Sequence, residues 1–100
     1  MASTTTLLPS SVRATLPPLY GQEGTPDPIV YARFFTPDSS WSWLATEFAP
    51  AEGCFFGLVD GFESELSYFL LEELGTGRGP LGLPIERDQS FTPWPSSACR

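Results

Sequence analysis

The run Cys54-Phe55-Phe56-Gly57-Leu58-Val59 is nearly all apolar and is bounded by turn residues on both sides. Ala49-Pro50-Ala51-Glu52-Gly53 precedes it and Asp60-Gly61 follows it. A short continuous apolar run between turn signals reads as a strand covered on at least one face, and so as a central one. Working upstream, Trp41 to Phe48 alternates and predicts a hairpin partner. Trp41, Trp43, Ala45 and Glu47 fall on one face, with Ser42, Leu44, Thr46 and Phe48 on the other. Thr36-Pro37-Asp38-Ser39-Ser40 reads as a turn, with Pro at its second position and Asp and Ser able to bond their own backbone. Before it, Ile29 to Phe35 predicts another strand, with Val30, Ala32 and Phe34 on one face and Ile29, Tyr31, Arg33 and Phe35 on the other. Downstream, Glu65 to Phe69 predicts a strand in which Leu66 and Tyr68 alternate against Glu65, Ser67 and Phe69. Strands joined this closely favour an antiparallel meander.

The flanks add helices. Leu7-Leu8-Pro9-Ser10-Ser11 reads as a helix start with Ser10 or Ser11 as N-cap, followed by an apolar stripe of Val12, Leu16 and Leu19. Pro17-Pro18 must stop that helix near Thr15 or Leu16. Gly21 to Pro28 is a connector. Leu70 to Leu74 predicts a short helix stopped by Gly75 and Gly77. The next segment, Arg78 to Asp88, combines Gly79, Pro80, Gly82 and Pro84 with an alternation of Leu81, Leu83 and Ile85. It reads as a fixed path across the sheet with those three side chains inserted into the core, and Ile85 to Phe91 supplies a last short strand at a sheet edge. The expectation is an α+β fold: a small antiparallel meander of about four strands, an N-terminal helix against one face, and a short helix after the fourth strand. Residues 1–6 read as a flexible start, 7–91 as one domain, and 92–100 as a flexible Pro/Ser-rich tail that Trp94 could pin.

Charge narrows the function classes. The chain has 100 residues, twelve carboxylates, five arginines, no lysine and no histidine, for a net charge of −7. Phosphate neutralisation needs clustered Lys or Arg, so direct nucleic-acid binding and docking on anionic membranes are disfavoured. A basic protein surface is the complementary partner. Missing histidine removes the commonest general base and metal ligand, and missing lysine removes Schiff-base chemistry. No cofactor or metal is expected. Cys54 lies in the apolar run and Cys99 near the end; two cysteines without a signal peptide favour free thiols in a cytoplasmic setting. The apolar runs are too short to span a bilayer.

Taken in order, Phe34-Phe35-Thr36-Pro37-Asp38, Trp43-Leu44-Ala45-Thr46-Glu47, Phe56-Gly57-Leu58-Val59-Asp60-Gly61, Glu65-Leu66-Ser67-Tyr68-Phe69, Glu72-Glu73-Leu74 and Gly79-Pro80-Leu81-Gly82-Leu83-Pro84-Ile85-Glu86-Arg87-Asp88 form a distinctive set. The set resembles a family of small uncharacterised bacterial proteins, a domain of unknown function found largely on plasmids and other mobile elements. The resemblance runs from about Leu7 to Phe91. It implies a compact cytoplasmic protein carried by mobile DNA and transfers no catalytic residue. Leu70 departs from the family, where many relatives place a polar N-cap.

The candidate partner-binding residues are Trp41, Trp43, Glu47, Asp60, Glu63, Glu65, Arg78, Glu86, Arg87 and Asp88. Glu86 and Asp88 offer two carboxylates to a divalent ion or a partner, but the favoured reading is that Arg87 pairs with a sheet carboxylate such as Glu47 and locks the loop. Trp41 and Trp43 read as core aromatics before they read as a recognition surface. Asp60, Glu63 and Glu65 surround a turn and read as solvated acids before acid–base catalysts. Gly75 to Gly82 lacks the Lys-Ser/Thr ending of a phosphate loop. The leading expectation is a non-catalytic acidic protein-interaction module. It would inhibit a host defence or DNA-processing protein by occlusion or by DNA mimicry. The alternatives are a small carboxylate-dependent hydrolase using Glu86 and Asp88 or Glu65, and a homodimer built on a sheet edge or the Trp face.

Overall fold

The computed structural model describes residues 7–22, 24 and 26–95. The expected frayed start at 1–6, Cys99 and the tail 96–100 lie outside the described residues. The elements run α1 (Ser10–Arg13), β1 (Ile29–Val30), β2 (Ala32–Phe35), β3 (Ser42–Ala49), β4 (Cys54–Asp60), β5 (Ser64–Leu70), α2 (Leu71–Thr76), β6 (Glu86–Arg87) and β7 (Trp94–Pro95). The main sheet has five strands in the order β5-β4-β3-β2-β6, all pairs antiparallel, while β1 pairs with β7 in a two-stranded sheet. The α+β class and the meander β2–β5 therefore stand. The fifth strand is β6, which pairs with the β2 edge through Phe34–Arg87 and Phe35–Glu86.

Strand β4 is covered on both faces. Phe55 is fully buried and stacks in the main core between Phe34, Phe48 and Phe69, at ring-centroid distances of 5.5, 4.5 and 5.1 Å. Leu58, three residues on and so on the opposite face, packs with Val30 and Leu44 in a smaller cluster that Phe91 borders. Val30 thus leaves the face it was expected to share with Ala32 and Phe34. The ladder is interrupted at Tyr31, whose N–H donates to Ala45 O at 2.8 Å, and the alternation resets there.

A second reset decides the site. Ala45 pairs with Gly57 and Glu47 with Phe56, so Thr46 is an inserted bulge residue. Its hydroxyl donates to Phe56 O at 2.9 Å. The bulge places Phe48 in the same core as Trp43 and Ala45. It turns Glu47 away from Trp41 and Trp43, against the strict alternation read from the sequence.

The helices are short, four and six residues long. Pro9, not Ser10 or Ser11, is the N-cap of α1, and no side chain caps it. Pro9 O accepts from Val12 and Arg13 N–H, each at 3.0 Å. No residue of α1 is buried; Leu7 and Leu8, just before it, anchor this segment to the core. Helix α2 begins one residue later than expected, contains Gly75, and stops at Gly77, whose N–H donates to Glu73 O at 2.8 Å. Leu70 is its N-cap and has no side-chain acceptor, so only half of a capping box exists: Glu73 Oε1 accepts from Leu70 N–H at 3.0 Å. Leu70→Ser supplies the missing acceptor and gives up a partly exposed leucine. The net expected gain is about 0.5 kcal/mol, read as a rise of a few degrees in thermal midpoint.

The segment after α2 curls around a carboxylate. Asp38 Oδ2 accepts from Leu81 N–H at 2.8 Å and from Leu83 N–H at 3.4 Å. Gly79 N–H donates to Leu83 O and Gly82 N–H to Gly79 O, with Gly82 at φ +82°. Gly79 lies so close that a Cβ there would overlap the Asp38 carboxylate. With the backbone amides of residues 81 and 83 turned to Asp38, their side chains face water. Leu81 is 80% exposed and Leu83 45%, and only Ile85 enters the core. The expected three-residue insertion is corrected to one. At the C-terminal end Trp94 is held through its backbone, opposite Val30, while its ring is exposed and its indole N–H donates to Thr92 Oγ1.

Candidate functional site

The register sets one row of residues across the main sheet. Arg87 lies beside Phe34, Phe34 beside Trp43, Trp43 beside Val59, and Val59 beside Glu65. Phe34 is buried beneath the core, whereas Trp43 and Val59 are only partly covered. The uncovered end of this face is a groove of about 470 Å³, lined among others by Trp41, Trp43, Val59, Glu73, Arg78 and Ile85.

Trp41 precedes β3 and reaches over the β4–β5 turn. A Cβ at Gly61 would lie 2.5–2.7 Å from Cζ3, Cη2 and Cε3 of Trp41, so the indole rests flat on the bare glycine backbone. Its ring centroid is 6.1 Å from Trp43 and 5.5 Å from Phe62, meeting Phe62 at 82°. Phe62 is 95% exposed. A second hollow of about 250 Å³ adjoins the groove through Trp41 and Val59, and Phe62, Glu63 and Glu65 complete its lining. Trp41 and Trp43 are therefore half-buried: one side of the pair packs on the fold and the other lines a groove.

Five of the expected site residues converge here: Trp41, Trp43, Glu63, Glu65 and Arg78. The others do not. Asp60 accepts from Ser64 Oγ at 2.9 Å within the turn. Glu86 is exposed on the edge strand β6. Arg87 stands at the far end of the cross-strand row, its Nε buried without a hydrogen-bond partner. The expected Arg87–Glu47 clamp does not form, because the bulge sends Glu47 to the opposite face. The ion pair beside β6 is Arg33 to Asp88, at 3.4 Å. Among the described residues no three of His, Cys, Asp and Glu gather in a group able to hold a metal ion.

Glu47 is a buried clamp for the connector. Its two carboxylate oxygens accept from Tyr20 N–H and Gln22 N–H, each at 2.8 Å. Tyr20 sits at φ +67°, and Tyr68 Oη donates to its hydroxyl at 3.4 Å. The residues that sequence reasoning missed are Phe62, Glu73, Asp38 and Gln22. Phe62 carried a signal: an aromatic in the turn Asp60-Gly61-Phe62-Glu63, outside any alternating run, has no core position to fill.

Three titratable groups among the described residues depart from their ordinary values, and the first, Tyr68, is pushed up chiefly by its hydrogen bond to the Tyr20 hydroxyl. Asp88 is held below the usual carboxylate range, chiefly by the Ser90 hydroxyl; burial opposes this, and the Ser90 amide and the Arg33 guanidinium lower it further. A depressed folded-state value means this stabilisation is complete above the unfolded Asp value near ~4 and is lost as pH falls below it. Asp88→Asn is expected to flatten the acid limb of the stability–pH curve below pH ~4, and denaturant titrations from pH 7 to 2.5 measure it. Burial first, then Glu52 and Glu73, pushes the Cys54 thiol up, which disfavours the reactive thiolate.

The profile of a family described as "Protein of unknown function (DUF2958)" matches residues 7–97. The chain belongs to this family. The match takes in β7 as well as the main sheet, so the pairing of Trp94–Pro95 with Ile29–Val30 falls inside the family's own span. No curated protein and no solved structure matches the chain. No helix among the described residues is long and apolar enough to cross a membrane.

Proposed function

We propose that this protein is a non-catalytic interaction module that covers a basic patch on a partner protein with the Trp41–Trp43–Phe62 surface. The observation that carries the reading is Phe62. A phenylalanine 95% exposed, beside two half-buried indoles and an open groove, matches the aromatic anchors that dominate protein interfaces. Glu63, Glu65 and Glu73 rim the same surface, and the net charge of −7 favours a basic partner. Because this surface offers aromatic rings as well as three acids, occlusion is favoured over DNA mimicry. A cytoplasmic site of action, carriage on a mobile element, and a host defence or DNA-processing protein as target rest on the motif resemblance and the acidity.

The test is quantitative affinity capture from host lysate with the wild type, Phe62→Ala, and Trp43→Ala, each checked for folding. A genuine partner is depleted at least tenfold by the groove variants. Partners retained equally by all three would sink the reading. Occlusion, which shares its binding between aromatic burial and a few rim charges, loses less affinity in 0.5 M salt than mimicry does.

Of the carboxylates in the hydrolase alternative, Glu65 on β5 and Glu86 on β6 occupy opposite edges of the five-stranded sheet, about 19 Å apart at ordinary strand spacing, while Asp88, the other partner for Glu86, is engaged by Arg33 and Ser90. Paired glycosidase carboxylates stand roughly 5–9.5 Å apart. The homodimer reading has one specific observation in its favour. Strand β5 is a sheet edge with Leu66 and Tyr68 exposed, and its sequence Ser64-Glu65-Leu66-Ser67-Tyr68-Phe69-Leu70 has no proline or lysine to guard it. Sedimentation equilibrium separates a monomer from a dimer, and Leu66→Lys dissociates a dimer built on this edge.

A further inference from the structure

We propose that the corner between Trp41 and Phe62 is a receptor for an arginine side chain of the partner. This rests on the interaction reading above and names the ligand chemistry at one end of that surface. The two rings meet edge to face at 82° and 5.5 Å, which leaves an open angle walled by aromatic surface. The electron-rich face of an indole attracts a cation placed over it. The hollow in this angle, about 250 Å³, takes in Val59 and is bordered by Glu63 and Glu65. Glu65 pairs directly with Val59, and Val59 with Trp43, so its side chain stands on the same sheet face as the Trp43 indole.

Charge decides what fills the hollow. An apolar or neutral polar group would cover the rings while leaving two carboxylates at their border without a counter-charge. None of the chain's own described arginines lines this hollow, although Arg78 lines the adjoining groove. Arg33 lies over the Phe35 ring at 4.9 Å and pairs with Asp88. Arg13 lies over Phe48 at 5.6 Å, and Arg78 donates to Gly77 O at 2.6 Å. Arg87 is on β6, at the opposite edge of the sheet from Glu65. A guanidinium fits better than an ammonium, because its plane stacks on the indole while its fork reaches a carboxylate.

The probe is the pentapeptide acetyl-Gly-Gly-Arg-Gly-Gly-amide, with citrulline in place of arginine as its neutral isostere. Heteronuclear NMR follows the Trp41 indole N–H, assigned through Trp41→Phe, and the amides of Phe62, Glu63 and Glu65. Saturable shifts confined to these signals are expected with the arginine peptide, at least tenfold weaker binding with citrulline, and a similar loss in Phe62→Ala and in Glu63→Gln with Glu65→Gln. These three side chains are exposed, so the variants keep the fold. Equal shifts from both peptides, or shifts scattered over the surface, would overturn the proposal. The two readings fail separately. If the peptide does not bind while a Trp43-dependent partner is still captured, the corner is wrong and the interaction surface stands. If the peptide binds and no groove-dependent partner is captured, the larger reading falls.

Discussion

Gly57→Ala is expected to lower the thermal midpoint by roughly 12–24 °C, the equivalent of about 3 kcal/mol in a domain of this size. Gly57 faces Ala45 at the β3–β4 bulge, where an extra residue pushes one backbone toward the other. A Cβ at Gly57 would overlap the Leu44 carbonyl oxygen and lie 2.9 Å from its carbon and 3.1 Å from Ala45 Cα. These are backbone atoms, so no side chain can rotate to make room. Strand β4 cannot slide away, because β5 pairs with it along its whole length and Phe55 is packed among three other phenylalanines. The control is Gly53→Ala. Gly53 turns the same hairpin at φ +63°, and a Cβ there would meet nothing within 4 Å, so its loss is only the left-handed backbone strain of about 1 kcal/mol. Calorimetry on both variants separates close packing from backbone conformation; equal shifts would mean that the bulge does not hold the strands this tightly.

What the sequence made legible follows from what a period of two can encode. The four meander strands, their turns and the edge strand near Arg87 come from apolar runs broken by Pro, Gly and Asp, and those signals are local. Faces are less secure, because one inserted or unpaired residue inverts everything beyond it. Tyr31 does this to Val30, and Thr46 does it to Glu47. Neither residue is a glycine, and each fits an ordinary strand, so no composition signal marks the reset. The loop from Arg78 shows the other limit. Its alternation of Leu81, Leu83 and Ile85 is real, but the amides of residues 81 and 83 are claimed by Asp38, more than forty positions earlier. That contact turns two leucines outward. In the groove, Trp41, Trp43, Glu63, Glu65 and Arg78 were identifiable by type. Their convergence depends on Gly61 providing a flat seat for an indole, which only the register reveals.

Glu47→Ala is expected to destabilise the fold by about 3 kcal/mol, since it removes a buried charged acceptor from two part-buried hydrogen bonds. Glu47 is 5% exposed and holds Tyr20 N–H and Gln22 N–H on its two oxygens. Tyr20 is the only described non-glycine residue at positive φ, and its strained backbone is fixed by that bond. Gln22 then carries the clamp onward: its amide donates to Ile29 O at 2.9 Å and to Thr46 O at 2.7 Å, and its oxygen accepts from Ile29 N–H at 2.6 Å. One carboxylate thus joins the connector, β1 and the bulge. Glu47→Gln keeps one acceptor and is expected to lose about half as much. Hydrogen exchange gives the local signature: the amides of Tyr20, Gln22 and Ile29 lose protection first, while those shared by β4 and β5 open only with the whole domain. A partner-contacting Glu47 predicts the reverse, weaker binding with unchanged stability. Its burial on the face away from Trp41 and Phe62 makes arginine-peptide binding the discriminating readout, and Glu47→Gln is expected to leave that binding intact wherever the domain remains folded.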